Sequence, residues 1–248
     1  MSELLVQSTA EENIHCKRKL GELRKNIDKA LLRSTKGWIT GRQGGRCWML
    51  SRTKHVCSVI GALLILLAIS PLMILIAIAI KSDSKGSVFF LQERTGFMGR
   101  RFKLYKFRTM VDNAEELKQS LRHMSHHGED SPDFKIAKDP RITRVGGFLR
   151  RYSLDELPNL ISVLVGDMRL VGPRPTSFHA TTYNAEHLVR LSVYPGLTGL
   201  WQISGRSNID FDGRVSLDKE YIEKQSFWLD IKILLLTPFK VIEGKGAC

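Results

Sequence analysis

The sequence predicts an α+β protein that is mostly helical and has one helix embedded in a membrane. Residues 56–80 are apolar and contain no charged side chain. Several later segments repeat apolar residues at helical spacing, and short strand-like runs flank a glycine-containing turn. Among 248 residues, 38 Lys and Arg against 25 Asp and Glu give a net charge of +13, which indicates an anionic partner. The four cysteines show neither metal-ligand nor redox spacing.

The chain divides into three predicted parts. Residues 1–50 form a variable basic region, with an amphipathic helix at 11–33 followed by a polar linker. Residues 51–82 form the membrane segment, and residues 83–248 form a compact domain on the membrane face. Because of the membrane segment, a soluble nucleic-acid-binding protein explains the positive charge poorly, and we expect no nucleic-acid partner.

The membrane segment is long enough to span the hydrocarbon core, which takes roughly 20 apolar residues. Ser70-Pro71 lies near its middle, and an interior proline removes one backbone hydrogen bond and kinks a helix. The residues themselves therefore leave two interpretations open: a kinked spanning helix, or a re-entrant helix that enters and leaves by one face. Both flanks are rich in basic residues, which favours the cytoplasmic side for each of them.

The compact domain is predicted to combine short β elements with amphipathic helices. The strands are expected at residues 87–90 and 102–107, and the helices at 112–122, 154–165, 182–191, 211–223 and 226–243. The last helix is more apolar than a surface helix of a small domain. It is either buried in the core or lies in the plane of the membrane interface.

The densest group of chemically active residues surrounds Asp155 and Glu156. Ser153 and Glu156 have capping-box spacing, which predicts a helix N-terminus. A carboxylate there, beside Arg150 and Arg151, is expected to stay ionised and nucleophilic. Two adjacent carboxylates also suit a divalent cation, with one attacking while the other binds the metal. Arg174, fixed in a Gly-Pro-Arg-Pro turn, is a candidate phosphate clamp.

Two other patterns could hold a metal but are weak evidence. Asp210 and Asp212 match the three-residue DxD clamp of nucleotide-sugar glycosyltransferases, a pattern that recurs by chance. His123, His126 and His127 lie in a polar loop that water can solvate.

Long motifs in matching order give the sequence its resemblance to a known family. Between residues 52 and 247 it contains the Ser70-Pro71 break, then GSVFFLQERTGFMGRRFKLYKFRTM, DPRITRVGGFLRRYSLDELPNLISVLVGDMRLVGPRP and YPGLTGLWQISGRS. In these motifs it resembles the bacterial sugar transferases, the monotopic polyisoprenyl-phosphate hexose-1-phosphate transferases. The family implies a re-entrant membrane helix bent at Ser70-Pro71. We expect the compact form, without the long polytopic N-terminal region that some relatives have.

The resemblance assigns roles to individual residues. Asp155 matches the nucleophile that forms a phosphosugar-aspartyl intermediate, and Glu156 matches its partner acid, associated with Mg²⁺; both are candidate metal ligands. The remaining matches are Lys106, Arg150 and Arg174 around the phosphates, Arg206 near the nucleotide, and Asp230 as a further active-site acid. Gly147, Arg169 and Tyr194 depart from the usual family residues and leave the phosphate contacts and the sugar preference open.

The family resemblance implies transfer of hexose-1-phosphate from a UDP-hexose to a polyprenyl phosphate, namely undecaprenyl phosphate, at the cytoplasmic face of the bacterial inner membrane. The products would be UMP and a polyprenyl-diphospho-hexose, as the first membrane step of exopolysaccharide or capsule synthesis. Two alternatives are a DxD-type glycosyltransferase and a non-catalytic membrane adaptor of polysaccharide assembly. Whether the protein forms a homodimer stays open.

Overall fold

The structure is a computed structural model. It describes residues 18–22, 25, 48, 50–120, 136, 139–183, 186–205 and 209–243. Most of the predicted helix at 11–33 lies outside these residues, as do Arg206 and the three loop histidines.

The apolar segment folds as helix α1, Arg52–Asp83, which begins at an N-cap where the Ser51 side chain accepts a hydrogen bond from the Lys54 amide. Within the described part of the chain, α1 is the helix that is long and apolar enough to cross a membrane, with a mean hydropathy of 3.0 over its most apolar stretch, of which 11% is buried. The helix continues through Pro71. The predicted membrane helix is therefore confirmed as an apolar helix.

One side of α1 packs against the compact domain along both of its halves. In the first half, Ala62 belongs to the main core with Leu160 and Val163. In the second half, Ile76 and Ile80 form a separate cluster with Phe107 and Leu149. The other side of the helix is exposed; its large apolar residues are Val56, Ile60, Leu63, Leu64, Ile65, Leu67, Leu72, Ile74, Leu75 and Ile78.

The two predicted strands form an antiparallel hairpin, with β1 at Phe89–Thr95 and β2 at Arg101–Phe107. Both extend further than predicted, because the chain between them turns tightly through the 3-10 segment Phe97–Gly99. Helix α2, Ala114–Ser120, follows β2 and lies within the predicted helix at 112–122. Helix α3, Arg144–Arg151, comes next and was not predicted.

The predicted helix at 154–165 is divided into two elements. A 3-10 segment, Leu154–Asn159, contains Pro158, and helix α4 follows at Leu160–Val165. The predicted helix at 182–191 is confirmed in part: among the described residues, the 3-10 segment His187–Ser192 covers its second half, and another 3-10 segment, Ala180–Thr182, ends at its first residue.

A second, parallel strand pair was not predicted. It joins β3, Arg169–Val171, to β4, Gly196–Thr198, and short helix α5, Leu200–Ser204, follows β4. The two last predicted helices are confirmed as α6, Phe211–Lys224, and α7, Phe227–Glu243.

Helix α7 is buried on one face only. Asp230 and Ile233 lie in the interior, and Leu229 and Leu234 pack against the core. Six large apolar side chains of the outer face are exposed: Phe227, Trp228, Leu235, Leu236, Phe239 and Ile242. The exposed fractions reach 76% for Trp228 and 73% for Ile242. Exposed apolar surface of this extent is unusual for a helix that faces water.

Candidate active site

Glu156 lies at the centre of a group of charged side chains. It is held in the 3-10 segment after Ser153, which adopts a left-handed conformation (φ 53°, ψ 23°). Lys106 Nζ donates to Glu156 Oε1 at 2.9 Å, and Arg174 Nη1 donates to Oε2 at 2.7 Å. Arg174 Nη2 also donates to Oε1, so both carboxylate oxygens accept from cations.

The predicted capping box is therefore wrong. Ser153 makes no side-chain hydrogen bond as a cap, and the segment it begins is 3-10 rather than α-helical. The Glu156 side chain points to β2 and to the Arg174 turn instead of back to Ser153. Two cations within ion-pair distance stabilise a carboxylate more strongly than one backbone amide does, because their hydrogen bonds are charge-assisted.

The pKa values of Asp155 and Glu156 are shifted in opposite directions. Burial would raise the pKa of Glu156, but the charges and hydrogen bonds of Arg174 and Lys106 outweigh it and hold that pKa far below its usual range. Burial and the neighbouring charge of Glu156 raise the pKa of Asp155, against the opposing charges of Lys106, Arg150 and Arg174. The sequence predicted an environment that stabilises the ionised form of Asp155, whereas the net effect of the surrounding groups raises its pKa and so favours the protonated form.

Within the described residues, the Asp155 carboxylate accepts no hydrogen bond from the protein. It is half-buried and lies within electrostatic reach of Glu156 and three basic side chains. A carboxylate without a hydrogen-bond donor keeps its lone pairs available for a substrate or a metal ion. This is the chemical difference between the two adjacent acids.

Helix α3 places Arg150 beside this group. Thr143 caps the helix by accepting from the Gly146 amide at 3.0 Å. A Cβ on Gly146 would lie only 2.1 Å from the Thr109 carbonyl oxygen, so glycine is required for this close approach. As a result, Arg150 Nε donates to Thr109 Oγ1 at 2.8 Å, close to the end of β2.

The parallel strands place Arg174. The amide of Gly172 donates to the Thr198 carbonyl, and that of Gly196 donates to the Pro173 carbonyl, both at 2.9 Å. Arg190 fixes the turn from behind, because its Nη2 donates to the Arg174 carbonyl at 3.1 Å and to Asp218 at 2.7 Å. The predicted rigid turn is therefore present.

The sequence reasoning missed Arg94. It is one of the lining residues of a pocket that also includes Asn159 and Arg174. Burial and the charge of Arg174 lower the pKa of Arg94 to about 10, while Glu156 opposes them. Its Nε and the Asn159 Oδ1 are buried without a partner in the described structure. Strand alternation would have placed Arg94 and Lys106 on one face of the hairpin once the pairing was known.

Asp230 makes its contacts in a different group. Its carboxylate pairs with Lys54 Nζ at 2.8 Å and accepts from Trp48 Nε1 at 2.8 Å and from the Tyr221 hydroxyl. These bonds tie the start of α1 to α6 and α7. The active-site role that the resemblance gives Asp230 stays a prediction, as does that of Arg206, which lies outside the described residues.

The DxD residues do not form a joint site. Asp210 is the N-cap of α6, where its Oδ1 accepts from the Gly213 amide at 2.9 Å. Asp212 contacts His187 Nε2 at 2.8 Å and is largely exposed. No group of three metal-ligating side chains occurs in the described part of the chain.

Comparison with known proteins gives the family. The family profile described as bacterial sugar transferase matches residues 49–244. The chain belongs to the bacterial sugar transferase family. This match includes α1, the hairpin, the Glu156 group and α7.

Curated bacterial proteins align with more than three quarters of this chain. A galactosyl transferase of Streptococcus agalactiae is 46% identical over 196 residues, covering 78% of this chain and 43% of the relative. The undecaprenyl-phosphate galactose phosphotransferase of Salmonella typhimurium is 42% identical, covering 78% and 41%. An exopolysaccharide production protein of Rhizobium meliloti is 38% identical, covering 78% and 87%. The chain thus spans less than half the length of the first two relatives.

Proposed function

We propose that this protein transfers hexose-1-phosphate from a UDP-hexose to polyprenyl phosphate, with undecaprenyl phosphate as the acceptor, through a covalent intermediate on Asp155. An Asp155 carboxylate oxygen attacks the β-phosphorus, and the bond between that phosphorus and the bridging oxygen breaks, so that UMP leaves with the electron pair. An acceptor phosphate oxygen then attacks the same phosphorus and releases the aspartate. The products are UMP and polyprenyl-diphospho-hexose.

The observation that supports this function best is the contrast between the two adjacent acids. Glu156 is bonded to Lys106 and Arg174, whereas Asp155 accepts no hydrogen bond within the described residues and is surrounded by the same cations. The four basic side chains around the pair, with Arg94 included, exceed the two carboxylates by two positive charges. That excess matches the two negative charges of a sugar diphosphate, and donors already in place stabilise charge that develops on the leaving phosphate.

The names of the relatives agree with this assignment. The Salmonella protein is named as a galactose phosphotransferase that uses undecaprenyl phosphate. A relative in Escherichia coli, 41% identical over 208 residues, is named as a glucose-1-phosphate transferase from UDP-glucose. For this chain we propose the shared chemistry, as the first membrane step of exopolysaccharide or capsule synthesis.

The donor set fits Mg²⁺ in part. Magnesium is usually bound by one or two carboxylates, with phosphates and water completing six oxygen ligands. Asp155 has free lone pairs, and Glu156 adjoins it but accepts from two cations. Asp155, with Glu156 beside it, would hold the ion once a diphosphate is present. There the ion would supply positive charge to the phosphates.

We further propose that α1 enters and leaves the membrane by the cytoplasmic face of the bacterial inner membrane. A straight helix of 32 residues measures about 48 Å, longer than a hydrocarbon core of about 30 Å. Yet the Ala62 half and the Ile76 half of α1 pack against one compact domain. The exposed apolar face of α7 provides a second lipid contact in the headgroup plane.

Topology is tested with single cysteines at the two ends of α1, in a background in which the native cysteines are replaced. Thr53→Cys and Lys85→Cys change exposed positions. We expect an impermeant thiol reagent to label neither in intact cells and both in inverted membranes. Labelling of just one of the two in intact cells would mean that α1 spans.

The reaction is tested by product analysis. Membranes containing the protein, incubated with UDP-hexose and polyprenyl phosphate, should release UMP; release of UDP would indicate a glycosyltransferase. Without acceptor, mass spectrometry should find a hexose-phosphate adduct on the peptide that contains Asp155. Asp155→Asn should abolish both signals, whereas Asp112→Asn, which changes an exposed acid, should leave them unchanged. Polymer synthesis supported by Asp155→Asn would favour a non-catalytic adaptor.

A further inference from the structure

One face of the β1–β2 hairpin connects apolar surface with the charged site. Residues directly opposite each other in an antiparallel pair project from the same face. The register pairs Phe90 with Lys106, and successive pairs on that face are Gln92 with Leu104 and Arg94 with Phe102. We call this set of six residues the site face of the hairpin.

Polarity changes along the site face. At its far end Arg94 lies in the pocket with Arg174, and its Nη2 donates to Gln92 Oε1 at 2.6 Å. At its near end the Phe90 side chain is 51% exposed. Its cross-strand neighbour is Lys106, whose Nζ bonds to Glu156. The Cα atoms of Phe90 and Lys106 are thus about 5 Å apart, as in any directly opposed antiparallel pair.

The opposite face of the hairpin packs on the membrane helix. Phe89 stacks on Phe107 with ring centroids 5.6 Å apart. Phe107 is buried in the cluster that contains Ile76 and Ile80 of α1. The start of β1 therefore lies beside the second half of α1, and Phe90, the next residue along β1, projects from the site face next to Lys106.

We propose that Phe90 forms a subsite for the first isoprene units of the lipid acceptor. This inference rests on the proposed function, since it locates the acceptor of that reaction. The acceptor must place a phosphate among the cations and a hydrocarbon chain in lipid. On the site face, an exposed aromatic residue and the lysine that bonds to Glu156 are direct cross-strand neighbours, one residue from the part of β1 that packs near α1. A hydrocarbon chain that leaves the charged site past Phe90 contacts this exposed ring at the end of β1 that follows α1 in the sequence.

The experiment separates the two half-reactions of the purified full-length protein in detergent micelles. UMP released without acceptor reports the first, and turnover with polyprenyl phosphates of two and of eleven isoprene units reports the second. Because both acceptors contain the first isoprene units, we expect Phe90→Ser to raise KM for both about tenfold, as the loss of one apolar contact predicts, and to leave the UMP burst unchanged. Phe90→Leu should restore most of the affinity.

Leu91→Ser is the matched control, since Leu91 is similarly exposed at 47% but projects from the opposite face. An equal rise in KM for both serine variants would show general membrane contact and overturn the proposal. So would a reduced UMP burst in Phe90→Ser, or an unchanged KM while the wild type turns over normally. If the wild type releases no UMP from any UDP-hexose, the proposed function itself fails, and the subsite with it.

Discussion

The Ser70 hydroxyl donates a hydrogen bond of 2.9 Å to the carbonyl oxygen of Leu67. This carbonyl is four residues before Pro71, which has no N–H to offer it. The serine therefore satisfies the acceptor that the proline leaves without its helical donor. In lipid an unsatisfied carbonyl has no water to replace the donor, so Ser70 and Pro71 act as one unit in α1.

In an apolar medium, Ser70→Ala should therefore lower the free energy of unfolding by about 1–3 kcal/mol, the cost of one acceptor left without a donor. Adding Pro71→Leu should recover most of this loss, because the new residue supplies the missing N–H. Thermal unfolding in detergent measures both. Ser82→Ala is the control, because the Ser82 hydroxyl donates to Ile78 at 3.0 Å within an uninterrupted stretch of helix. Equal losses in the two alanine variants would contradict the account.

Asp230→Asn should destabilise the fold strongly. It leaves Lys54, only 1% exposed, without its charged partner, and breaking a buried ion pair typically costs about 3–5 kcal/mol. The double variant Lys54→Met/Asp230→Asn should recover part of this loss. The UMP burst, measured per folded molecule, should stay near the wild-type level. An unchanged melting temperature with no UMP burst would instead support the active-site role that the family resemblance implies.

The UMP burst should depend on the protonation of Asp155. Only the ionised carboxylate attacks, and burial together with the charge of Glu156 raises the pKa of Asp155. Activity should therefore fall, as the pH is lowered, at a higher pH than for an ordinary aspartate. Glu156→Gln removes that neighbouring charge and should move this acid limb to lower pH, besides reducing the rate. An acid limb that stays in place would exclude Glu156 as a source of the shift.

Arg94→Gln should weaken binding of the sugar nucleotide. It removes one of the two excess positive charges and a donor in the pocket with Arg174, so KM for UDP-hexose should rise about tenfold or more. Arg100→Gln removes the same charge from a side chain that is 77% exposed and should change KM less than about twofold. Equal effects would mean that overall charge, and not position, determines binding.

The sequence by itself determined the apolar helix, the hairpin and the two last helices. Each extends over enough residues for its periodicity to be read, and each is confirmed. The sequence also pointed to Asp155, Glu156, Lys106, Arg150 and Arg174, which the structure brings together. By contrast, β3 and β4 have three residues each. Strands so short have no readable period, and their pairing depends on residues far apart in the chain.

Only the tertiary structure decided how the two acids differ. From local spacing, Glu156 belongs to a capping box, which does not form, and Asp155 to a helix start, which the structure has as the first turn of a 3-10 segment. The side-chain partners of Glu156 lie 50 residues before it and 18 after it. Arg94 entered the site because β1 pairs with β2, and Phe90 adjoins Lys106 for the same reason. Desolvation and ion pairing are set by whichever groups the fold brings within a few ångströms, and local sequence spacing does not specify that distance.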